Sequence, residues 1–194
     1  MPDESRKSEL ARRLTVLDQR LLDRVAVIES DLLDRELPRL GVAANYGRLW
    51  IGVATFLVLT GRRDARRAAV RGLMSLAIAS ATANVLAKGV FGRMRPSVHR
   101  VPRIRMLSRA PVTSSFPSGH SASAAAFATG ACIEMPALAV PVGALAVGVA
   151  TSRVVVGAHY PSDVVAGGSL GVGAALLTLR LWPRHRRRRW LRRR

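Results

Sequence analysis

Cysteine occurs once, at Cys132, so no disulfide framework can form and a cysteine-rich zinc site is excluded. Lysine occurs twice, as Lys7 and Lys88, against 29 arginines. Acidic residues nearly vanish beyond residue 40, where Asp64, Glu134 and Asp163 stand alone. The carboxylates of a magnesium site are therefore missing, and neither metal nor cofactor is expected. A G-x-x-x-x-G-K-S/T loop is absent, which removes a nucleoside-triphosphate engine. Three Trp, two Tyr and four Phe are few for stacking on bases, so no nucleic-acid partner is expected despite a net charge of +19. The first 40 residues are charged throughout and hold no signal-peptide pattern.

What the chain has is apolar residue in blocks. It is 49% hydrophobic, and its mean hydropathy is +0.17, so charge and apolar surface must lie in different segments. Residues 1–40 hold nine of the twelve acids and eight basic residues. Five apolar segments follow, near 41–60, 70–90, 118–135, 137–153 and 163–182. A crossing needs about 20 mostly apolar residues, and a terminal Arg can snorkel to the headgroups. The expectation is an all-α integral membrane bundle of about five spans, with an N-terminal amphipathic helix. Its parts are a charged helix over 1–40, a membrane domain over 41–182 and an arginine-rich tail over 183–194. Leu10, Leu14, Leu17, Leu21, Val25, Ile28 and Leu32 recur at spacings of three and four, and Pro38 is expected to end that helix. Self-association through residues 8–37 and packing on the chain's own bundle are equal alternatives. The tail from Arg184 carries eight arginines and suits anionic headgroups. Gly167 and Gly171 form a small-xxx-small pair, read as helix packing.

Three stretches place polar residues where membrane helices avoid them. Six residues separate Lys88 from Arg95-Pro96; Pro117-Ser118-Gly119-His120 opens the third apolar segment; Ser152-Arg153 is followed by His159 and Asp163. Because successive segments alternate in direction, all three stretches emerge on one membrane face. Arg and Lys clamp phosphate oxygens, and the amides of a helix opening at Ser118-Gly119 can point at an anion. Histidine can be nucleophile or general acid near neutral pH. The set describes phosphoryl transfer without a metal.

These stretches match K-x6-RP, PSGH and SR-x5-H-x3-D, and so the chain resembles the type 2 phosphatidic acid phosphatase (lipid phosphate phosphatase) superfamily in its bacterial membrane branch. The resemblance covers about residues 70–180 and says nothing of 1–40 or the tail. It implies that His159 attacks phosphorus and becomes a phosphohistidine, that Asp163 orients it, and that His120 protonates the leaving oxygen. It further implies that Lys88, Arg95 and Arg153, with Ser118 and the Gly119 amide, hold the phosphate oxygens.

The expected activity is metal-independent hydrolysis of a lipid phosphate or diphosphate. A polyprenyl-linked phosphate of cell-envelope synthesis is the first candidate, and phosphatidic acid or phosphatidylglycerol phosphate the second. A non-catalytic membrane scaffold that binds anions is the alternative of another class. Arg100, Arg103, Arg105 and Arg109 are candidates for an electropositive mouth. Arg62, Arg63, Arg66, Arg67 and Arg71 share a face with the tail, which positive-inside bias puts in the cytoplasm. The motifs then face outward from the plasma membrane.

Overall fold

Alternating apolar runs and short polar breaks become seven α-helices among the described residues. The computed structural model describes residues 2–89, 92–97, 101–106 and 114–183, with backbone alone at 2–8, 10, 11 and 86–89. Its helices are α1 (Pro2–Ala26), α2 (Leu37–Ala43), α3 (Arg48–Leu59), α4 (Arg63–Gly89), α5 (Gly119–Glu134), α6 (Ala139–Val155) and α7 (Pro161–Leu181). The described residues include no strand.

Helices α3–α7 fall on the five apolar segments. Among the described residues three stretches are long and apolar enough to cross a membrane, Arg63–Val85, Pro136–Val155 and Pro161–Leu181. The pair Leu32–Ala43 and Asn45–Leu59, bent by 59°, makes a fourth if counted as one span. The expected third span, α5, is only 16 residues long. It is the hub of the bundle, packed against α4, α6 and α7. Its composition explains this position. Ser121, Ala122, Ala124, Ala126, Ala128, Gly130 and Ala131 are buried and small, and they let three helices approach closely. A Cβ at Gly171 would lie 2.2 Å from the Ala122 carbonyl oxygen, so α7 meets α5 backbone to backbone there. Phe127 fills the remaining space, its ring 5.1 Å from that of Trp50 on α3. Large apolar side chains left exposed on the outer faces, among them Ile51, Phe56, Val85, Val140, Val147, Val165 and Leu176, are a surface suited to lipid. The chain is a membrane protein.

The end of the bundle where α4 starts and α5 and α7 finish is tied by charge. Glu134 accepts from Arg67 at 2.8 and 3.2 Å and from Arg71 at 2.8 Å. Arg71, fully buried, also donates to Thr178 Oγ1 at 3.0 Å and to the Trp182 carbonyl.

The N-terminal region departs from the expected single helix. α1 ends at Ala26, and Pro38 lies at the start of α2 rather than at the end of anything. The first turn of a helix has free N–H groups anyway, so a residue without one is tolerated there. A boundary at residue 40 would cut α2, which packs on α6. Arg105, expected at an open mouth, is 1% exposed. It donates to Asp34 at 2.7 Å, to the Val25 carbonyl at 2.9 Å and to the Ile28 carbonyl. These carbonyls lie at and just beyond the C-terminus of α1, where a cation is favoured. Arg103 is exposed, while Arg100, Arg109 and the tail beyond Pro183 lie outside the described residues.

Candidate active site

The other end of the bundle is where α4 and α6 finish and α5 and α7 start, so the three polar stretches meet. Backbone joins them. Ser118 N–H donates to the Asp163 carbonyl at 3.0 Å, and Ser115 N–H to the Arg93 carbonyl at 2.9 Å. After α6 the amides of Ala158 and His159 both close on the Arg153 carbonyl, at 3.0 and 3.1 Å. Gly157 makes that turn at φ 65°, where a side chain would be strained.

His159 is 6% exposed and its Nδ1 lies 2.6 Å from the Ser115 carbonyl oxygen. A carbonyl only accepts, so Nδ1 carries the proton and Nε2 presents a lone pair. Nε2 lies 3.4 Å from Arg95 Nη1. Burial, then the charge of Arg95, hold the imidazole's pKa down to about 3; the Ser115 bond opposes this, and Arg153 and His120 add to it. The ring is neutral near pH 7, as a nitrogen nucleophile must be.

Asp163 does not hold His159 directly. Its Oδ2 is 3.9 Å from His159 Nδ1, too far for a hydrogen bond. It accepts instead from the Ser115 hydroxyl and from Tyr160 N–H at 2.9 Å, while Oδ1 pairs with Arg93 at 2.6 Å. Ser115 is thus the link, with its hydroxyl on Asp163 and its carbonyl on His159. The i,i+4 spacing suggests direct contact only if both residues share a helix. α7 begins at Pro161, so His159 precedes it.

Arg95 donates to the carbonyls of Ala158 at 2.6 Å and Ser114 at 3.2 Å. Burial lowers its pKa, against the opposing charge of Asp163. Arg153 is 4% exposed, and its Nε reaches Ser152 Oγ at 3.2 Å. Its Nη2 is buried without a hydrogen-bond partner among the described residues. Gly41 of α2 lies against that guanidinium, where a Cβ would come within 1.9 Å of Nη2. His120 Nε2 is 2.9 Å from Asn45 Oδ1. Asn45 precedes the sharp α2–α3 break, in which Tyr46 has φ 55° and Gly47 φ 75°.

Ser118 is the N-cap of α5, its side chain accepting from Ser121 N–H. The hydroxyl expected on phosphate is fully buried and also accepts from Ser121 Oγ at 2.9 Å. Its contribution is to start the helix whose first residue is Gly119, beside which a Cβ would meet open space. Lys88 lies in the last turn of α4, and its side chain is outside the described residues, as are His99 and His185. No cluster of three or more His, Cys, Asp or Glu side chains placed to hold a metal occurs among the described residues.

A family model for the PAP2 superfamily matches residues 68–187. The chain belongs to this superfamily. A lipid A 1-phosphatase of Rhizobium johnstonii is 39% identical over 107 residues, 53% of this chain and 43% of that protein. The match thus spans less than half that relative's length. An undecaprenyl-diphosphatase of Sulfolobus acidocaldarius is 32% identical over 141 residues, 71% of this chain and 66% of that one. The crystal structure of a transmembrane PAP2 type phosphatidylglycerolphosphate phosphatase from Bacillus subtilis shares the fold. Its TM-score is 0.66 at 22% identity, covering 91% of this chain and 90% of that one.

Several residues that shape this PAP2 site carry no sequence signal: Ser115, Asn45, Gly41, Arg93 and Asp18. Arg93 donates to Asp163, to Ser162 Oγ at 2.8 Å and to Asp18 at 2.7 Å. Burial works to lower its pKa, but the two carboxylates prevail and raise it.

Proposed function

We propose that this PAP2 chain is a membrane phosphatase that hydrolyses a lipid phosphate or diphosphate, most simply a polyprenyl-linked phosphate of the cell envelope. One observation carries the reading. A neutral histidine, held by Nδ1 with Nε2 toward Arg95, shares one end of a membrane bundle with a buried arginine whose Nη2 has no partner among the described residues. A phosphate ester supplies both an electrophile for the nitrogen and oxygens for the guanidinium.

In this reading His159 Nε2 attacks phosphorus in line with the leaving oxygen. The P–O bond breaks, and His120 gives that oxygen a proton. Arg95, Arg153, Lys88 and the Gly119 amide hold the equatorial oxygens, whose charge grows in the transition state. Asp163, through Ser115, stabilises the phosphorylated imidazole. Water, deprotonated by His120, then attacks the phosphohistidine and releases phosphate. No metal takes part. The helices α3–α7 are the five crossings, and the site opens outward at the plasma membrane, opposite Arg62, Arg63 and Arg66. Leu14 and Leu17, exposed on α1, leave residues 8–37 a surface for a second copy.

The undecaprenyl-diphosphatase relative favours the polyprenyl substrate over phosphatidic acid or phosphatidylglycerol phosphate. The test is phosphate release by purified protein in nanodiscs from polyprenyl mono- and diphosphate, lipid A, phosphatidic acid and phosphatidylglycerol phosphate. Polyprenyl substrates should lead, chelator should leave the rate intact, and vanadate should inhibit. Release from none of the panel overturns the phosphatase reading. A chelator block rescued by magnesium overturns the metal-free mechanism.

A further inference from the structure

Among the described acids of α1, Asp18 alone is buried, at 2% exposed. It reaches two elements of the site at once. Oδ1 accepts from Ser162 N–H at 2.9 Å; Oδ2 accepts from Ser162 Oγ at 2.5 Å and from Arg93 Nη2 at 2.7 Å. Ser162 N–H is one of the free amides at the start of α7, where a carboxylate is favoured both as acceptor and as charge. Arg93 turns its other nitrogen to Asp163 and lies 4.4 Å over the Tyr160 ring. The path is then continuous: Asp18 to Arg93, Arg93 to Asp163, Asp163 to the Ser115 hydroxyl, and the Ser115 carbonyl to His159 Nδ1.

We infer that Asp18 is a positioning residue for the reaction, and that α1 is therefore a working part of the site, although the family match begins only at residue 68. Two consequences follow from the geometry. The first is orientation. One guanidinium grips two carboxylates, and its fork fixes the plane of Asp163 only while the far side is held. The second is charge. Arg93 with Asp163 alone is a neutral pair. With Asp18 the trio has two carboxylates for one guanidinium, a net negative charge whose Asp163 member lies 3.9 Å from His159 Nδ1. That charge favours the positive imidazole formed when Nε2 bonds to phosphorus. Asp18 touches no reacting atom, so its effect belongs on the chemical step rather than on lipid capture.

The inference rests on the phosphatase reading, and its test separates the two. Asp18→Asn keeps the shape and removes the charge. Its kcat should fall about 10- to 100-fold, the scale of a small misplacement at a reacting centre, with KM within about threefold and slower phosphoenzyme formation in rapid quench. Asp18→Glu should recover part of the loss. Leu22→Ala, one turn further along α1 at a 3% exposed site, loosens the helix without touching the carboxylate. It should lower Tm more than kcat. If Leu22→Ala and Asp18→Asn lose kcat in proportion to Tm alike, docking alone explains both and the inference fails. If Asp18→Asn does not fold, Arg93→Lys carries the test, because a point charge cannot hold both carboxylates. Wild-type kcat in either folded variant overturns the inference. A readout free of turnover is the 15N spectrum of labelled His159, where wild type should show a protonated Nδ1 and Asp18→Asn a shifted or broadened signal. If wild type releases no phosphate at all, the function is wrong. An unmoved His159 spectrum in Asp18→Asn then decides against Asp18 separately.

Discussion

Two clusters of arginine sit at opposite ends of the same bundle and are built for opposite ends. Around Glu134, the guanidiniums of Arg67 and Arg71 meet a carboxylate, a hydroxyl, a carbonyl and the Trp182 ring at 4.3 and 5.0 Å. Around His159, Arg95 meets carbonyls, and Arg153 keeps one buried nitrogen without a protein partner among the described residues. The nearby carboxylate, Asp163, is turned to Arg93. Residue type alone therefore does not separate a structural cation from a binding one. What separates them is that Arg71 is fully engaged by the fold, whereas Arg153 holds a buried nitrogen with no partner among the described residues. The first cluster joins α4, α5 and α7; the second leaves attraction for an anion from outside.

Substitutions at the two ends should break the comparison in different observables. The largest effect is expected from His159→Ala, which should abolish turnover and covalent phosphoenzyme together. Trapping must be read in alkali as well as acid, since a phosphohistidine is acid-labile. The same adduct surviving in the variant removes His159 as nucleophile.

Next come Arg153→Met and Arg71→Met, measured side by side for Tm and kcat/KM. Arg153→Met should lower kcat/KM by about 10²- to 10³-fold, the loss typical of a donor to developing negative charge, while Tm holds or rises as a buried unpaired cation is removed. Arg71→Met should do the reverse, costing about 3–5 kcal/mol of stability, the scale for breaking a buried ion pair. Equal Tm losses in the two variants would erase the distinction between the clusters.

His120→Ala should cost about 10²–10⁴-fold with an alkyl phosphate, the usual span for a general acid. The loss should shrink with a diphosphate or aryl phosphate, whose leaving oxygen needs less protonation. An equal loss on all substrates would reassign His120 to binding.

The smallest effect concerns pH. His159 has a folded pKa of about 3, against about 6.5 for an exposed imidazole. Between these values the unfolded chain takes up a proton that the folded chain refuses, so stability falls as pH falls through the window. His159→Gln should therefore lose less Tm than wild type between pH 7 and pH 5. An identical drop in both would mean that the folded imidazole takes up its proton over the same pH range as the unfolded one.

The helix order and the meeting of three stretches were legible in the sequence, because polar residues stand out against apolar runs. Pairings across long separations were not. Asp18 is one of nine acids in a mixed-charge segment, and its partner Arg93 lies 75 residues away among many arginines. Ser115 acts on His159 through its backbone carbonyl, which any residue has. Gly41 matters by what it lacks, and the neighbour that requires this, Arg153, is on another helix. The span count blurred at α5 because hydropathy reports apolar composition and not where a helix sits. An alanine-rich hub and a lipid-facing crossing look alike in that measure.

That hub has a bearing on how the protein is made. At 16 residues, α5 measures about 24 Å along its axis, short of a hydrocarbon layer about 30 Å thick. Its buried alanines, with Ser121 and Gly130, offer little to acyl chains and much to neighbouring helices. Emerging from a ribosome, such a segment gains its place by entering the bilayer together with α4 before it and α6 after it. The helix that brings Gly119 and His120 to the candidate site is thus poorly equipped to insert alone, which ties its insertion to the assembly of that site.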